Sequence, residues 1–189
     1  GHSDKALKYC CKALGLFEKV GDKSGIAKIH NTIGSIYKTQ GEYANALKHC
    51  HESLRIKEEM DDRNGFANVY TNIGVLYNMI SEYDKALRYH LKALEIGEKT
   101  QDMHIVANSH NNIGNVYRYI GDTRSAVLFY QEAYAIYSHL ENHDGAIQAL
   151  PNKAAILIQN DRLDEAAETI QKATTLAESA GLVAAQVLN

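Results

Sequence analysis

The chain has 189 residues, 45% hydrophobic and 23% charged, enough apolar material for a buried core and too much for a disordered tail. Its formal net charge of −3 excludes a general nucleic-acid binder, which needs a strongly basic face. One proline, no tryptophan and twelve tyrosines fit helices joined by short turns, because sheet-and-loop proteins use proline more freely.

Gly1-His2-Ser3 reads as the remnant of a cleaved tag. Residues 4–20 are predicted to form the second helix of a pair whose first helix lies before the chain, which leaves Leu7, Cys10, Leu14 and Phe17 short of partners. Asp22 then stands where an N-cap is expected. A first helix follows over about residues 24–40, with Ala27, His30, Ile33, Ile36 and Tyr37 on one stripe. Gly41 supplies a left-handed stop, and a second helix runs from about Tyr43 to Glu59 with Ala46, Leu47, Cys50, Leu54 and Ile56 inward.

From there the pattern recurs every forty residues. Ile33-Gly34-x-x-Tyr37 returns as Ile73-Gly74-x-x-Tyr77 and Ile113-Gly114-x-x-Tyr117. Ala46 has counterparts in Ala6, Ala86, Ala126 and Ala166; Ser53 in Ala13, Ala93, Ala133 and Ala173; Ile56 in Leu16, Ile96, Ile136 and Leu176. Asp62, Asp102 and Asn142 repeat the capping place of Asp22. The units are therefore 21–60, 61–100, 101–140 and 141–180, with 181–189 as the clipped start of a further helix. In the last unit Lys153-Ala154 replaces Ile-Gly, and Pro151 is expected to delay or kink the first helix. Small residues let paired helices approach, and one pair cannot bury its faces alone, so pairs stack. The expected fold is all-α, a right-handed superhelical solenoid of helix-turn-helix units.

Gly34, Tyr37, Gly41, Tyr43, Ala46 and Ser53, with their counterparts forty and eighty residues on, resemble the tetratricopeptide repeat (TPR) signature. His30, Tyr70, His110 and Leu150 stand where that pattern opens on a large residue. The forty-residue unit is longer than the usual one. It is similar to the units of kinesin light chains, of spindle-orientation adaptors with GoLoco motifs, and of sensory arrays fused to bacterial kinases and nucleotide cyclases. The resemblance implies that first helices line a concave groove for extended peptides or partner helices. On that mapping the stripe opposite the core reads Lys28-Asn31-Ser35-Lys38, Asn68-Thr71-Val75-Asn78, Asn108-Asn111-Asn115-Arg118 and Gln148-Pro151-Ala155-Ile158, flanked by Thr32, Asn72, Asn112 and Asn152.

None of these positions is acidic, and asparagine dominates them. Its amide offers a donor and an acceptor on a short stem, suited to both N–H and C=O of an extended backbone. The candidate partner-binding set is Lys28, Asn31, Lys38, Asn68, Asn72, Asn108, Asn111, Asn112, Asn115 and Arg118. Asn72, Asn112 and Asn152 have an alternative role, tying adjacent helices through backbone carbonyls. The three cations favour an acidic or carboxylate-bearing partner, and Met79 and Tyr119 are placed to offer it an apolar pocket. Tyr37, Tyr77, Tyr117, Tyr43 and Tyr83 recur as packing residues.

No catalytic constellation emerges. His30 and His110 fall at the large core place, and His90 shares the inner face of a second helix with Cys50. His49 and His51 lie about 200° apart around a helix and cannot share a metal. A turn separates His139 from His143; Glu58, Glu59, Asp61 and Asp62 sit at helix ends, where capping explains them. The glycines recur singly, so no phosphate-cradling loop is present. Three cysteines without metal or redox spacing, no bilayer-length apolar run and no signal-peptide pattern point to the cytoplasm. The expectation is a non-catalytic protein–protein interaction scaffold that needs no cofactor or metal, binds an extended peptide or partner helix, and contacts neither nucleic acid nor membrane. The alternatives are a regulatory module of a larger signalling enzyme and a scaffold that self-associates through exposed end faces.

Overall fold

The structure is a computed structural model that describes residues 2–60 and 65–187. Every regular element among them is a helix: α1 (His2–Val20), α2 (Lys23–Thr39), α3 (Tyr43–Glu59), α4 (Phe66–Met79), α5 (Tyr83–Thr100), α6 (Met103–Ile120), α7 (Thr123–His139), α8 (His143–Gln159) and α9 (Leu163–Val187). They fall into two compact units, Gly1–Ile96 and Gly97–Asn189. In the first, α2 packs on α1, α3 and α4, and α3 on α4; in the second, α6 packs on α7 and α8, α7 on α8, and α8 on α9. The fold class is an all-α helical repeat solenoid.

The turns repeat as the sequence does. Gly41 and Gly121 end first helices at φ 78° and 90°, while Ser81 and Asp161 take the same left-handed backbone with side chains, at 62° and 56°. After second helices Gly21, Gln101 and Glu141 do likewise. Asp22 accepts from the Gly25 N–H, Asp102 from those of His104 and Ile105, and Asn142 from that of Gly145. Asp62 and its neighbours 61, 63 and 64 lie outside the described residues.

The glycine of each Ile-Gly pair admits one particular side chain. A Cβ on Gly34 would come within 2.6 Å of Cys50 Sγ, one on Gly74 within 2.6 Å of the His90 ring, and one on Gly114 within 2.8 Å of the Tyr130 ring. Ala46, Ala86 and Ala126 are fully buried in the same seams. Ser53 takes the small place thirteen residues before Phe66 and donates its hydroxyl to the Ala27 carbonyl at 2.7 Å.

An aromatic trio recurs beside this seam. His30 and Tyr37 stack on His49, Tyr70 and Tyr77 pack on Tyr89, and His110 and Tyr117 pack on Phe129. Residues 49, 89 and 129 are thus the second-helix member of each trio. In the last unit Leu150, Leu157 and Thr169 hold the corresponding places.

Two expectations differ from what the chain does. Residues 181–187 do not open a new helix; α9 continues through them from Leu163, with no capping residue or turn to stop it. Pro151 neither delays nor ends α8, which runs from His143 to Gln159 with the proline ring exposed. The missing N–H leaves the Ile147 carbonyl without its usual helical donor. Leu16 also departs from its counterpart: Ile56 is 5% exposed and Leu16 63%.

Candidate partner-binding face

Within the first unit the stripe is carried by α2 and α4. Lys28 and Asn68 are exposed, and Asn31, Lys38 and Asn72 are half-buried. Asn72 Nδ2 donates to Asn31 Oδ1 at 2.9 Å, so the tie between adjacent first helices runs side chain to side chain and not to a backbone carbonyl. That bond fixes both amides, with Asn31 presenting its nitrogen and Asn72 its oxygen. The Thr71 hydroxyl folds back onto the Ala67 carbonyl, as helical threonines do. Met79 is exposed at the end of α4.

Within the second unit α6 carries Asn108, Asn111, Asn115 and Arg118. The hydroxyl of Tyr137 donates to Asn108 Oδ1 at 2.7 Å, and that of Tyr130 to Asn115 Oδ1 at 2.8 Å. Both tyrosines come from α7 and both are buried, which pushes the Tyr137 phenol up to about 12 and the Tyr130 phenol upward. They remain neutral donors. Each asparagine oxygen is therefore committed to the scaffold, and its NH2 is presented as a donor. Asn111 is 8% exposed, and its buried Oδ1 meets no donor among the described residues. Along one face of α6 this presents amide donors at 108 and 115, with the Asn111 oxygen buried between them. Seven residues of helix rise by roughly 10 Å, the length of about three residues of extended chain.

Arg118 closes that face. Its guanidinium stands 4.5 Å from the Tyr119 ring centroid. Asn112 is half-buried next to the stripe, while Gln148, Pro151, Ala155 and Ile158 of α8 are exposed. The structure thus gathers Asn108, Asn111, Asn115 and Arg118 on one helix and couples Asn31 to Asn72. Tyr130 and Tyr137, which orient the α6 amides, are absent from the sequence-derived set. Their signal was the glycine opposite each: Gly114 faces Tyr130, and Gly145 faces Tyr137.

The histidines are packed, not grouped. His30 Nδ1 and His49 Nδ1 are 2.9 Å apart, one ring donating and the other accepting, and burial lowers the pKa of both. His90 is 1% exposed, and burial lowers it to about 4. Among the described residues no three His, Cys, Asp or Glu side chains are grouped to hold a metal, and no helix is long and apolar enough to cross a membrane.

Comparison with known proteins agrees with this architecture. No curated protein matches the chain by sequence. Among solved structures it is similar to BtubC (BKLC) from P. vanneervenii, with a TM-score of 0.85 and 19% identity over 96% of this chain and 75% of that one. It is similar also to aspartyl phosphate phosphatase F from Bacillus subtilis, at 0.87 and 17% over 93% of this chain and 46% of that one. A Rap protein complexed with competence and sporulation factor aligns at 0.82 and 19%, over 92% and 48%. The chain therefore spans three quarters of the first and about half of the other two. The tetratricopeptide repeat profile matches residues 25–99, 65–139 and 106–179, in three overlapping stretches that share the period read from the residues. The chain belongs to the tetratricopeptide repeat family.

Proposed function

We propose that the chain is a non-catalytic interaction scaffold whose first-helix faces take an extended peptide or partner helix, with Asn108, Asn111 and Asn115 reading its main chain. The observation that carries this reading is the pair of outward amide donors on α6, Asn108 and Asn115, fixed by Tyr137 and Tyr130 from behind. Two C=O groups of an extended ligand complement these two donors. In the first unit Lys28, Asn31, Lys38, Asn68 and Asn72 belong to the first-helix face, in the second Asn112 and Arg118 do, and the cations favour a partner with carboxylates. A cytoplasmic setting belongs to the same proposal, supported by the free thiols of Cys10, Cys11 and Cys50.

The test is an affinity capture with the wild-type chain beside an Asn108/Asn111/Asn115 triple alanine variant. A partner held by the wild type and lost from the variant supports the reading; equal retention by both overturns it. The isosteric Asn108→Asp/Asn115→Asp variant sharpens the test, because it keeps the acceptors for Tyr137 and Tyr130 and removes the outward donors. It is expected to lose the partner with its helical content unchanged by circular dichroism.

A regulatory role within a larger signalling protein is compatible with the same face, since one similar structure is a Rap protein complexed with a competence and sporulation factor. A separate observation favours self-association as a second reading. Tyr9, Leu16 and Val20 of α1 are 68%, 63% and 76% exposed, at helical spacing on one face. Sedimentation velocity is expected to show a dimer that Leu16→Glu dissociates; a wild-type monomer at high micromolar concentration overturns this reading.

A further inference from the structure

A cavity of about 440 Å³ lies between the first turns of α7 and the turn joining α8 to α9, and no stripe residue lines it. Its floor is Val127 and Leu128, and its rim carries Arg124, Gln131, Asn160 and Arg162. Three of these six residues break the forty-residue register. Where Arg124 stands, the other second helices have Asp4, Ala44, Asp84 and Asp164. Where Arg162 stands, others have Glu42, Glu82 and Asp122, the residue just before a second helix. Where Leu128 stands, others have Lys8, Lys48, Arg88 and Glu168.

Each departure is locally unfavourable. The positive end of a helix prefers acidic side chains in its first turn; α7 carries Arg124 there and no acid, and Arg162 stands just before α9, whose first turn has Asp164 and Glu165. Leu128 is 54% exposed at a place that is charged in every other second helix. Departures in charge and polarity gathered at one spot mark a site selected for something other than the fold. The carboxylates beside the arginines are engaged: Asp122 caps Ser125, and Glu165 holds Arg162 Nε and Nη2 at 2.7 and 2.6 Å. Glu165 thereby fixes the Arg162 guanidinium, and Arg124 and Arg162 are the charged side chains that line the apolar floor.

We propose that this cavity is a second docking site, separate from the first-helix face, for a short acidic protein segment that places an aliphatic side chain on Val127 and Leu128 and an adjacent carboxylate between Arg124 and Arg162. The apolar floor requires a side chain, which a lone anion does not supply. The inverted charges require a carboxylate beside it.

The test uses the full chain, labelled with nitrogen-15, titrated with the acetylated, amidated tetrapeptide Leu-Asp-Leu-Glu and with its neutral analogue Leu-Asn-Leu-Gln. The acidic peptide is expected to shift amides of residues 123–131 and 160–163, and the neutral one to bind about five-fold more weakly, the size of one half-exposed ion pair. Arg124→Asp and Leu128→Lys each restore the residue that other units carry. Each is expected to retain or raise the melting temperature while weakening the acidic peptide by about five-fold. No shift, shifts confined to α6, equal affinity for the two peptides, or unchanged binding by both variants overturns the proposal. So does sodium acetate that reproduces the shifts at the same concentration, because the apolar contact then contributes nothing.

Discussion

Gly74 and His90 show how tightly one residue of this repeat constrains another. The imidazole occupies the space where any other residue would put a Cβ, 2.6 Å from its nearest ring atom. Gly74→Ala is therefore expected to cost about 1–3 kcal/mol, read as a lower denaturant midpoint. The same burial makes His90 an acid-labile point. Its pKa is about 4 in the fold and 6.5 when unperturbed, so between those values the unfolded chain binds the extra proton. Stability from this residue is complete above pH 6.5 and is lost as pH falls toward 4, by about 3 kcal/mol in all. His30, His49, His51 and His110 are lowered in the same direction and add to the slope. His90→Cys puts there the residue that Cys50 is in the preceding unit. Its unfolding free energy is expected to fall less steeply from pH 7 to 4 than that of the wild type, and parallel curves would contradict the assignment.

At the scale of the element, ends and interruptions decide how well each helix holds. Asp161 and Glu141 carry side chains at φ 56° and 54°, a backbone that glycine adopts without strain at Gly121. Asp161→Gly and Glu141→Gly are each expected to stabilise the chain by about 0.5–1 kcal/mol, and Gly121→Ala to destabilise it by about 1–2 kcal/mol. Chemical denaturation of the three variants checks the opposite signs. Pro151 is exposed in the body of α8 and fills no core place, so its helical cost has no packing return. Pro151→Ala is expected to raise stability by roughly 1–3 kcal/mol in the same measurement. The helices themselves were legible because their caps and stops recur with the repeat. Where α9 passes residue 181 no cap intervenes, and a boundary projected from the period alone fails.

Across the whole molecule, period and fold are the same information: each forty-residue unit is one helical pair, and its glycines and alanines mark where pairs touch. The candidate face was only partly legible. Its asparagines could be placed by register, but which atom of each amide faces outward depends on Tyr130 and Tyr137, fifteen and twenty-nine residues away on another helix. The cavity beside Arg124 was hidden for a different reason: it is written in departures from the period, and a search for repeats looks for agreement. Stability is also uneven along the array. Inside the second unit α6 buries seven residues, whereas the described part of α9 buries Ala166 and Thr169. Hydrogen exchange is expected to be at least about ten-fold faster in α9 than in α6, and equal protection would show that the unit opens as one body.

The contacts from each second helix to the next first helix carry one more consequence. Phe17 lies against Gly25 and Tyr137 against Gly145, a large side chain on the leaving helix and a bare backbone on the arriving one. At the third such junction the sizes are exchanged, with Gly97 on the leaving helix and Ile105 on the arriving one. The junctions are thus of two kinds, and the repeats are not spare parts. A tandem copy of residues 101–140 would bring a second Ile105 up against Tyr137, bulk against bulk, while the duplicated helices kept every other feature of the period. The order of the units is constrained by these paired volumes, so recombination that preserves the repeat can still destroy the fit.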